Sequence, residues 1–524
     1  MANKNHNLIF LFEVVSKFQK SELNEILTLA GYESQDFKLS KKKSNSIRKI
    51  DKPKKIDNLN NTIPQLLLIE LYDCYISGLD FSQTYEVIKT KFSAKQIANH
   101  SNKLENIANE FILTTENIDK MNIDNIRKVQ INIYKKLSLM WGYLYKGINF
   151  DLKVSIDALY RKAINYELYS EALTILSFKV LVFSHKLSTI QIDELKKEIE
   201  ELTLINMLKE KAELYQKRIQ VMYTRKISIK TIVSDVINNI KELDDDRPKI
   251  SSDTWRLAYN NIFLELLQQQ GKYEEGDSVC LDSINIYLKN KYISSSVKIG
   301  FSYLQLANNQ IYGKKYSECY SNAMIAKSKF HSNSINMVST YELIFYSTIY
   351  MRKYDLSIET IEKGFTLYIV KFDPIYNARW SYFRSYLYFI QGDYKQAQIM
   401  LNEASLLDED KEGWGLGIRI LIIYILIARE FYDEIEFALE NFKRQIIKLK
   451  KTNDLRDRYQ IIYKLIYKLY VNRFDYKLIK NKYAKWFEQI DSNDPEYKWE
   501  PRTAEVISFS EWFNNQINRN NPTF

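Results

Sequence analysis

The sequence of 524 residues predicts an all-α protein built from stacked helical hairpins. Three observations carry that expectation. Glycine and proline, which break helices, number only 13 and 7. Apolar residues recur at spacings of three and four along most of the chain. A tyrosine-centred pattern also returns again and again through the C-terminal half.

The chain is longer than one compact core usually holds, so several domains or an array of repeats is expected. Apolar residues make up 45% and charged residues 27%, an ordinary globular balance. Three scattered cysteines (Cys74, Cys280, Cys319) suit a reducing compartment and form no CxxC. The four histidines lie far apart, so no metal or other cofactor is expected. The N-terminus lacks the features of a secretory signal. The most apolar run, Ile420–Ala428, is far short of a membrane span and reads as a buried helix. A cytoplasmic protein is the expectation.

The net charge of +10 is local. Lys38–Lys55 ("KLSKKKSNSIRKIDKPKK") holds nine Lys or Arg and one Asp, which accounts for +8 of it. This segment reads as a loop. Three roles stay open for it: a solvated loop, a contact for nucleic acid or ribosomal RNA, and a contact for an acidic protein or membrane surface. The nucleic-acid reading would use Lys41, Lys42, Lys43, Arg48, Lys49, Lys54 and Lys55. No aromatic residue interrupts the basic ones, so base stacking is not expected there.

Three regions follow along the chain. Residues 1–115 read as an N-terminal helical module, opening on Leu8, Phe12, Val15 and Phe18 at helical spacing and resuming after the basic loop near Pro64. Residues 116–245 read as a middle helical region. Its glycine-free stretch around Leu195, Ile199, Leu202 and Ile205 predicts one or two long helices, packed or as a coiled-coil arm. "KELDDDRPKISSD" (Lys241–Asp253) reads as a linker, and residues 255–524 as the repeat array.

The repeat registers on Tyr273, Tyr316, Tyr354, Tyr394 and Tyr432, in steps of 43, 38, 40 and 38 residues. Three residues after each come Gly276, Cys319, Ser357, Ala397 and Ile435. Seven after come Cys280, Ala323, Ile361, Leu401 and Leu439, and ten after come Ser283, Ala326, Gly364, Ala404 and Phe442. These offsets share one helix face, and its small residues let a neighbouring helix approach closely. A glycine precedes the tyrosine in three copies (Gly271, Gly313, Gly392), as a tight helix–helix turn favours. An earlier copy starts at Tyr169, with Ala172 and Leu176 in place and Lys179 breaking the last position.

This pattern resembles the tetratricopeptide (TPR) repeat over about residues 255–450. The period near 40 and the missing closing proline depart from that family. The resemblance implies a TPR-like α-solenoid. The N-terminal half ("KFQKSELNEILTLAGYES", "IKTKFSAKQIANHSNKLENIANEFIL", "AINYELYSEALTILSF") resembles uncharacterised bacterial cytoplasmic TPR-like proteins. That likeness implies fold and location, and no activity.

No GxSxG, P-loop or GxGxxG motif occurs, so an enzyme is not expected. "GWGLG" (Gly413–Gly417) reads as a turn opening an apolar helix. The acidic stretches Leu243–Asp246 and Leu407–Glu412 lack calcium-loop spacing and read as solvated loops.

In the TPR register the first helix of each hairpin lines the concave side. Counting back from each tyrosine selects Asn261, Glu265, Gln268 and Gln269, then Asn308 and Tyr312. The next two hairpins supply Glu342, Tyr346, Tyr350, Arg379, Tyr382 and Tyr386. Amides and tyrosines suit an extended or helical peptide. The function implied is a non-enzymatic scaffold or adaptor with a protein or peptide partner. Packing between helices is the competing role for each tyrosine. Two other functions stay open: a peptide-sensing regulator whose N-terminal module contacts DNA or RNA polymerase, through "SELNEILTLAGYES", and an RNA- or ribosome-associated factor using the basic loop.

Overall fold

The computed structural model describes residues 6–17, 23, 63–114, 125–147, 152–224, 229–244, 251–409, 414–450, 455–494 and 496–519. Among these residues every regular element is a helix and none is a strand. The chain divides into two compact units, residues 1–149 and 150–524.

The first unit comprises α1 (His6–Lys17), α2 (Ile63–Ile76), α3 (Phe81–Lys91), α4 (Ala94–Thr114) and α5 (Asn125–Tyr145). Leu8, Leu11 and Val15 of α1 bury against Leu67, Leu68 and Leu71 of α2, with Ile88 and Leu104 completing the core. Asp80 starts α3 through a capping box with Gln83. The basic segment and nearly all of "SELNEILTLAGYES" lie outside the described residues.

The second unit opens with α6 (Leu152–Asn165), α7 (Tyr169–Phe183), α8 (Thr189–Thr224) and α9 (Ile229–Asp244). The glycine-free stretch is one helix of 36 residues, α8, and it packs on its neighbours rather than projecting as an arm. The expected linker begins later than its acidic residues suggest, because α9 runs through Lys241 to Asp244.

Helices then alternate. First helices are α10 (Asp253–Gln269), α12 (Ser296–Tyr312), α14 (Ile335–Tyr350), α17 (Pro374–Gln391), α19 (Trp414–Ala428) and α21 (Asp457–Val471). Second helices are α11 (Tyr273–Lys289), α13 (Tyr316–Lys327), α15 (Tyr354–Phe365), α18 (Tyr394–Glu403), α20 (Tyr432–Lys450) and α22 (Tyr476–Lys482). The short α16 (Tyr368–Phe372) precedes α17, and α23 (Ala484–Ile490) and α24 (Phe509–Arg519) end the chain. Each helix packs on the next, and α12 on α14, α15 on α17 and α17 on α19 as well.

Every repeat tyrosine is the first residue of its helix, including Tyr169 and the unforeseen Tyr476. The residues three, seven and ten after the five matched tyrosines are all buried. The turns are also alike. Two residues before the tyrosine, the backbone is left-handed at Glu167, Gly271, Lys314, Arg352, Gly392, Glu430 and Phe474. In the first six the following N–H reaches back to the preceding helix, as from Lys315 to Gln310 O at 2.8 Å and from Asp393 to Tyr388 O at 2.9 Å; in the seventh, where Arg473 is left-handed as well, Phe474 itself makes this bond, to Leu469 O at 2.9 Å. This is the closure of a Schellman motif.

The glycine expectation is corrected here. Gly271 and Gly392 occupy the left-handed position, but Gly313 does not: its φ is −74°, and Lys314 beside it takes φ +59°. The turn therefore tolerates an L-residue where helix packing compensates the strain.

"GWGLG" opens the apolar helix α19 as expected, but from Trp414 on it is helix rather than turn, with Gly417 buried within it. No helix among the described residues is long and apolar enough to cross a membrane.

Candidate functional site

The first-helix face selected by the repeat register is not an open surface along its whole length. Between α23 and α24 the chain runs as a strap, residues 496–508, and lies across it. Arg458 of α21 receives the start of the strap: its backbone N–H donates to Glu496 O at 3.1 Å, and its Nη1 donates to Tyr497 O at 2.8 Å. Lys498 then reaches Tyr273, with Nζ 3.4 Å from the hydroxyl. The Trp499 ring meets Tyr350 edge-on, and its Nε1 donates to Glu505 O at 2.9 Å, tying the outgoing limb to the returning one.

The strap turns at Pro501–Arg502, where Arg502 is left-handed at φ +61°. Its guanidinium is gripped on two sides. Nη1 donates to Asn308 Oδ1 of α12, and Nη2 donates to Glu342 Oε2 of α14 at 3.3 Å. Its backbone N–H donates to the Tyr350 hydroxyl at 3.1 Å. Burial opposes the Arg502 charge, but Glu342, with Tyr312 and Tyr346, outweighs it and holds the guanidinium firmly protonated.

The returning limb is read through its backbone. The Tyr346 hydroxyl donates to Thr503 O at 3.1 Å, and the Tyr382 hydroxyl donates to Ala504 O. Gly417 makes room for this limb: a Cβ there would stand 2.6 Å from Ala504 Cβ and 2.7 Å from Ala504 O. Glu505 then enters the core and pairs with Arg458, and α24 buries Phe509, Trp512 and Phe513.

Four of the expected partner-binding residues, Glu342, Tyr346, Tyr382 and Tyr386, are therefore buried. Tyr350 is half-buried and holds Arg502. Arg379 donates to Glu342 Oε1 at 3.2 Å and lies over the Trp414 ring. These residues are not available to a second molecule while the strap is in place. Burial also pushes the Tyr346, Tyr350 and Tyr382 hydroxyls well above the ordinary tyrosine range, so they stay neutral, Tyr346 and Tyr382 donating to the strap and Tyr350 accepting from it.

The other end of the face is open. Asn261, Glu265 and Gln268 of α10 and Phe301, Gln305 and Asn308 of α12 line a hollow of about 260 Å³. Gln216 and Gln220 of α8 close its third side. Gln305 Nε2 donates to Asn261 Oδ1 at 3.2 Å, and Gln269 Nε2 donates to Glu265 Oε1 at 3.0 Å. Tyr312 stacks on Tyr273 below the strap tip. Phe301 is 42% exposed at the rim.

A second, more apolar hollow of about 730 Å³ lies among α18, α19 and α20, with Phe437 70% exposed beside it. Among the described residues no group of acidic, His or Cys side chains is placed to hold a metal ion. The basic residues Lys41 to Lys55 lie outside the described residues.

The register located the face, but not what covers it. Arg458, Arg502 and Glu505 escaped sequence reasoning because they lie beyond the five tyrosine-registered copies. The signal available was Pro501 between charged residues in a stretch lacking helical periodicity. Compared with protein-family models and with curated proteins, the chain matches none.

Proposed function

We propose that residues 255–524 form a TPR-like α-solenoid acting as a cytoplasmic, non-enzymatic scaffold or adaptor that binds an extended protein segment. One observation carries the reading. The face that the repeat register assigns to peptide binding holds a non-helical, bent stretch of polypeptide, residues 502–504, by hydroxyl and amide contacts to its backbone and to one side chain. Backbone recognition by regularly spaced side chains suits any extended segment of matching spacing. Stacked hairpins present such a face continuously. The partner's share is the α10/α12 end, because the strap takes the rest. The three free, buried cysteines support a reducing compartment.

The test is site-specific photocrosslinking in cells that produce the protein. A benzophenone residue replaces Phe301 in one variant and Phe437 in another, both exposed. A discrete adduct to one protein from position 301, absent from position 437, is the expected result. Equal labelling from both positions, or labelling from 437 alone, overturns the assignment.

A further inference from the structure

We propose that the α10/α12 hollow is a notch for an arginine or lysine side chain of a peptide lying extended on the face; this rests on the peptide-binding reading above. The strap supplies the template. Arg502 sits between one amide and one carboxylate from successive first helices, Asn308 of α12 and Glu342 of α14. One step toward the N-terminus, the hollow sits between one carboxylate and one amide from successive first helices, Glu265 of α10 and the same Asn308 of α12. Glu265 and Asn308 hold equivalent positions, each eight residues before a repeat tyrosine, Tyr273 and Tyr316, whereas Glu342 stands twelve before Tyr354, so the hollow repeats the pairing of an amide with a carboxylate but not its register. Asn308 is thus the wall shared by an occupied cation site and an open one.

The rest of the lining fits the same occupant. Gln305, Gln268 and Asn261 offer both donors and acceptors to a peptide backbone. Phe301, 42% exposed, gives apolar surface for the methylene stem of a long basic side chain. A carboxylate accepts several hydrogen bonds at once, so the Gln269 amide at Glu265 is compatible with a guanidinium or ammonium there. The volume of about 260 Å³ falls below the ~300–1,000 Å³ of pockets that enclose a whole small molecule. It matches one anchoring side chain of a longer ligand.

The experiment uses the full-length protein and four immobilised pools of degenerate octapeptides, each with one central residue held as Arg, Lys, Ala or Glu. Retention on the Arg and Lys pools should exceed that on the Ala pool by about tenfold. Long-range attraction from the chain's net charge of +10 works the other way, toward the Glu pool, so the sign of the preference is diagnostic. Glu265→Gln should abolish the preference while leaving retention on the Ala pool unchanged. Gln305→Ala, which keeps the carboxylate, should weaken retention on every pool.

A preference for Arg and Lys that survives Glu265→Gln overturns the notch. Equal retention on all four pools also overturns it and leaves the peptide-scaffold reading standing. No retention on any pool overturns both. N-acetylarginine methylamide serves as competitor. If it displaces the protein at the same concentration as a soluble Arg-pool peptide, the ligand is a free cation and the peptide assignment falls.

Discussion

The Arg458 guanidinium donates to both carboxylate oxygens of Glu505, Nε to Oε2 at 2.7 Å and Nη2 to Oε1 at 2.6 Å, with both side chains 1% exposed. Nη1 also donates to Ile490 O at 2.6 Å, and Glu505 Oε1 accepts from the Phe509 N–H at 2.6 Å. The pair joins α21 to the strap and to the start of α24. Replacing one member strands the other charge. Glu505→Ala should therefore destabilise the protein by about 3–5 kcal/mol in urea unfolding. Arg458→Met with Glu505→Leu should recover much of that loss, and a double variant as unstable as the single one would contradict this account.

The strap is held at close quarters by Gly417. Gly417→Ala adds a Cβ against Ala504 and the Tyr382 hydroxyl, where the nearest atoms leave under 3 Å. The expected cost is ~1–3 kcal/mol, as for overpacking elsewhere. Limited proteolysis should show faster cleavage within residues 496–508, whereas Gly142→Ala, with open space around it, should leave the cleavage rate unchanged.

The tyrosines of the face act as packing groups with a polar end. Tyr346→Phe and Tyr382→Phe each leave a strap carbonyl without its donor, partly buried at Thr503 and buried at Ala504, at a cost of ~1–3 kcal/mol with Tyr382→Phe the larger. Truncation to Ala removes the ring as well and should cost ~3–5 kcal/mol, comparable to other buried aromatics. Thermal melts of the four variants give the order.

The turns make a test of backbone strain. Gly392 sits at φ +83°, so Gly392→Ala should lower stability by about 1 kcal/mol. Lys314 and Arg352 hold the same position at φ +59°. Lys314→Gly and Arg352→Gly relieve that strain, and chemical denaturation should find neither less stable than the parent.

Alkaline pH should unfold the chain for a stated reason. Burial raises the Cys280 and Cys319 thiols from an ordinary 9.0 to about 12, and Asp277 adds to the effect at Cys280. Burial raises Tyr287 and, with Glu505 close by, Tyr459 from 10.0 to about 12. The unfolded chain ionises first, so the stability tied to these groups is complete below pH 9 and falls as pH rises toward 12. Urea midpoints measured across that interval should decline, and less steeply in a Cys280→Ala, Cys319→Ala variant.

Much of the architecture was legible in residue types alone. The repeat tyrosines, the small and apolar residues at the three offsets, and the helical character of the chain follow from periodicity, which is a local property. The face was locatable for the same reason, because Asn261, Glu265, Asn308, Tyr346 and Tyr382 stand at set distances from those tyrosines. Which part of that face stays open was decided by tertiary structure. Arg502 and Glu505 meet Asn308, Glu342 and Arg458 across sequence separations of 194, 160 and 47 residues. No local pattern encodes such pairings, since they depend on where the strap returns after α23. A tyrosine at a regular position is the same letter whether it greets a partner or its own chain. Only the packed chain shows that Tyr346 and Tyr382 are closed over by Thr503 and Ala504, while the α10/α12 hollow is not.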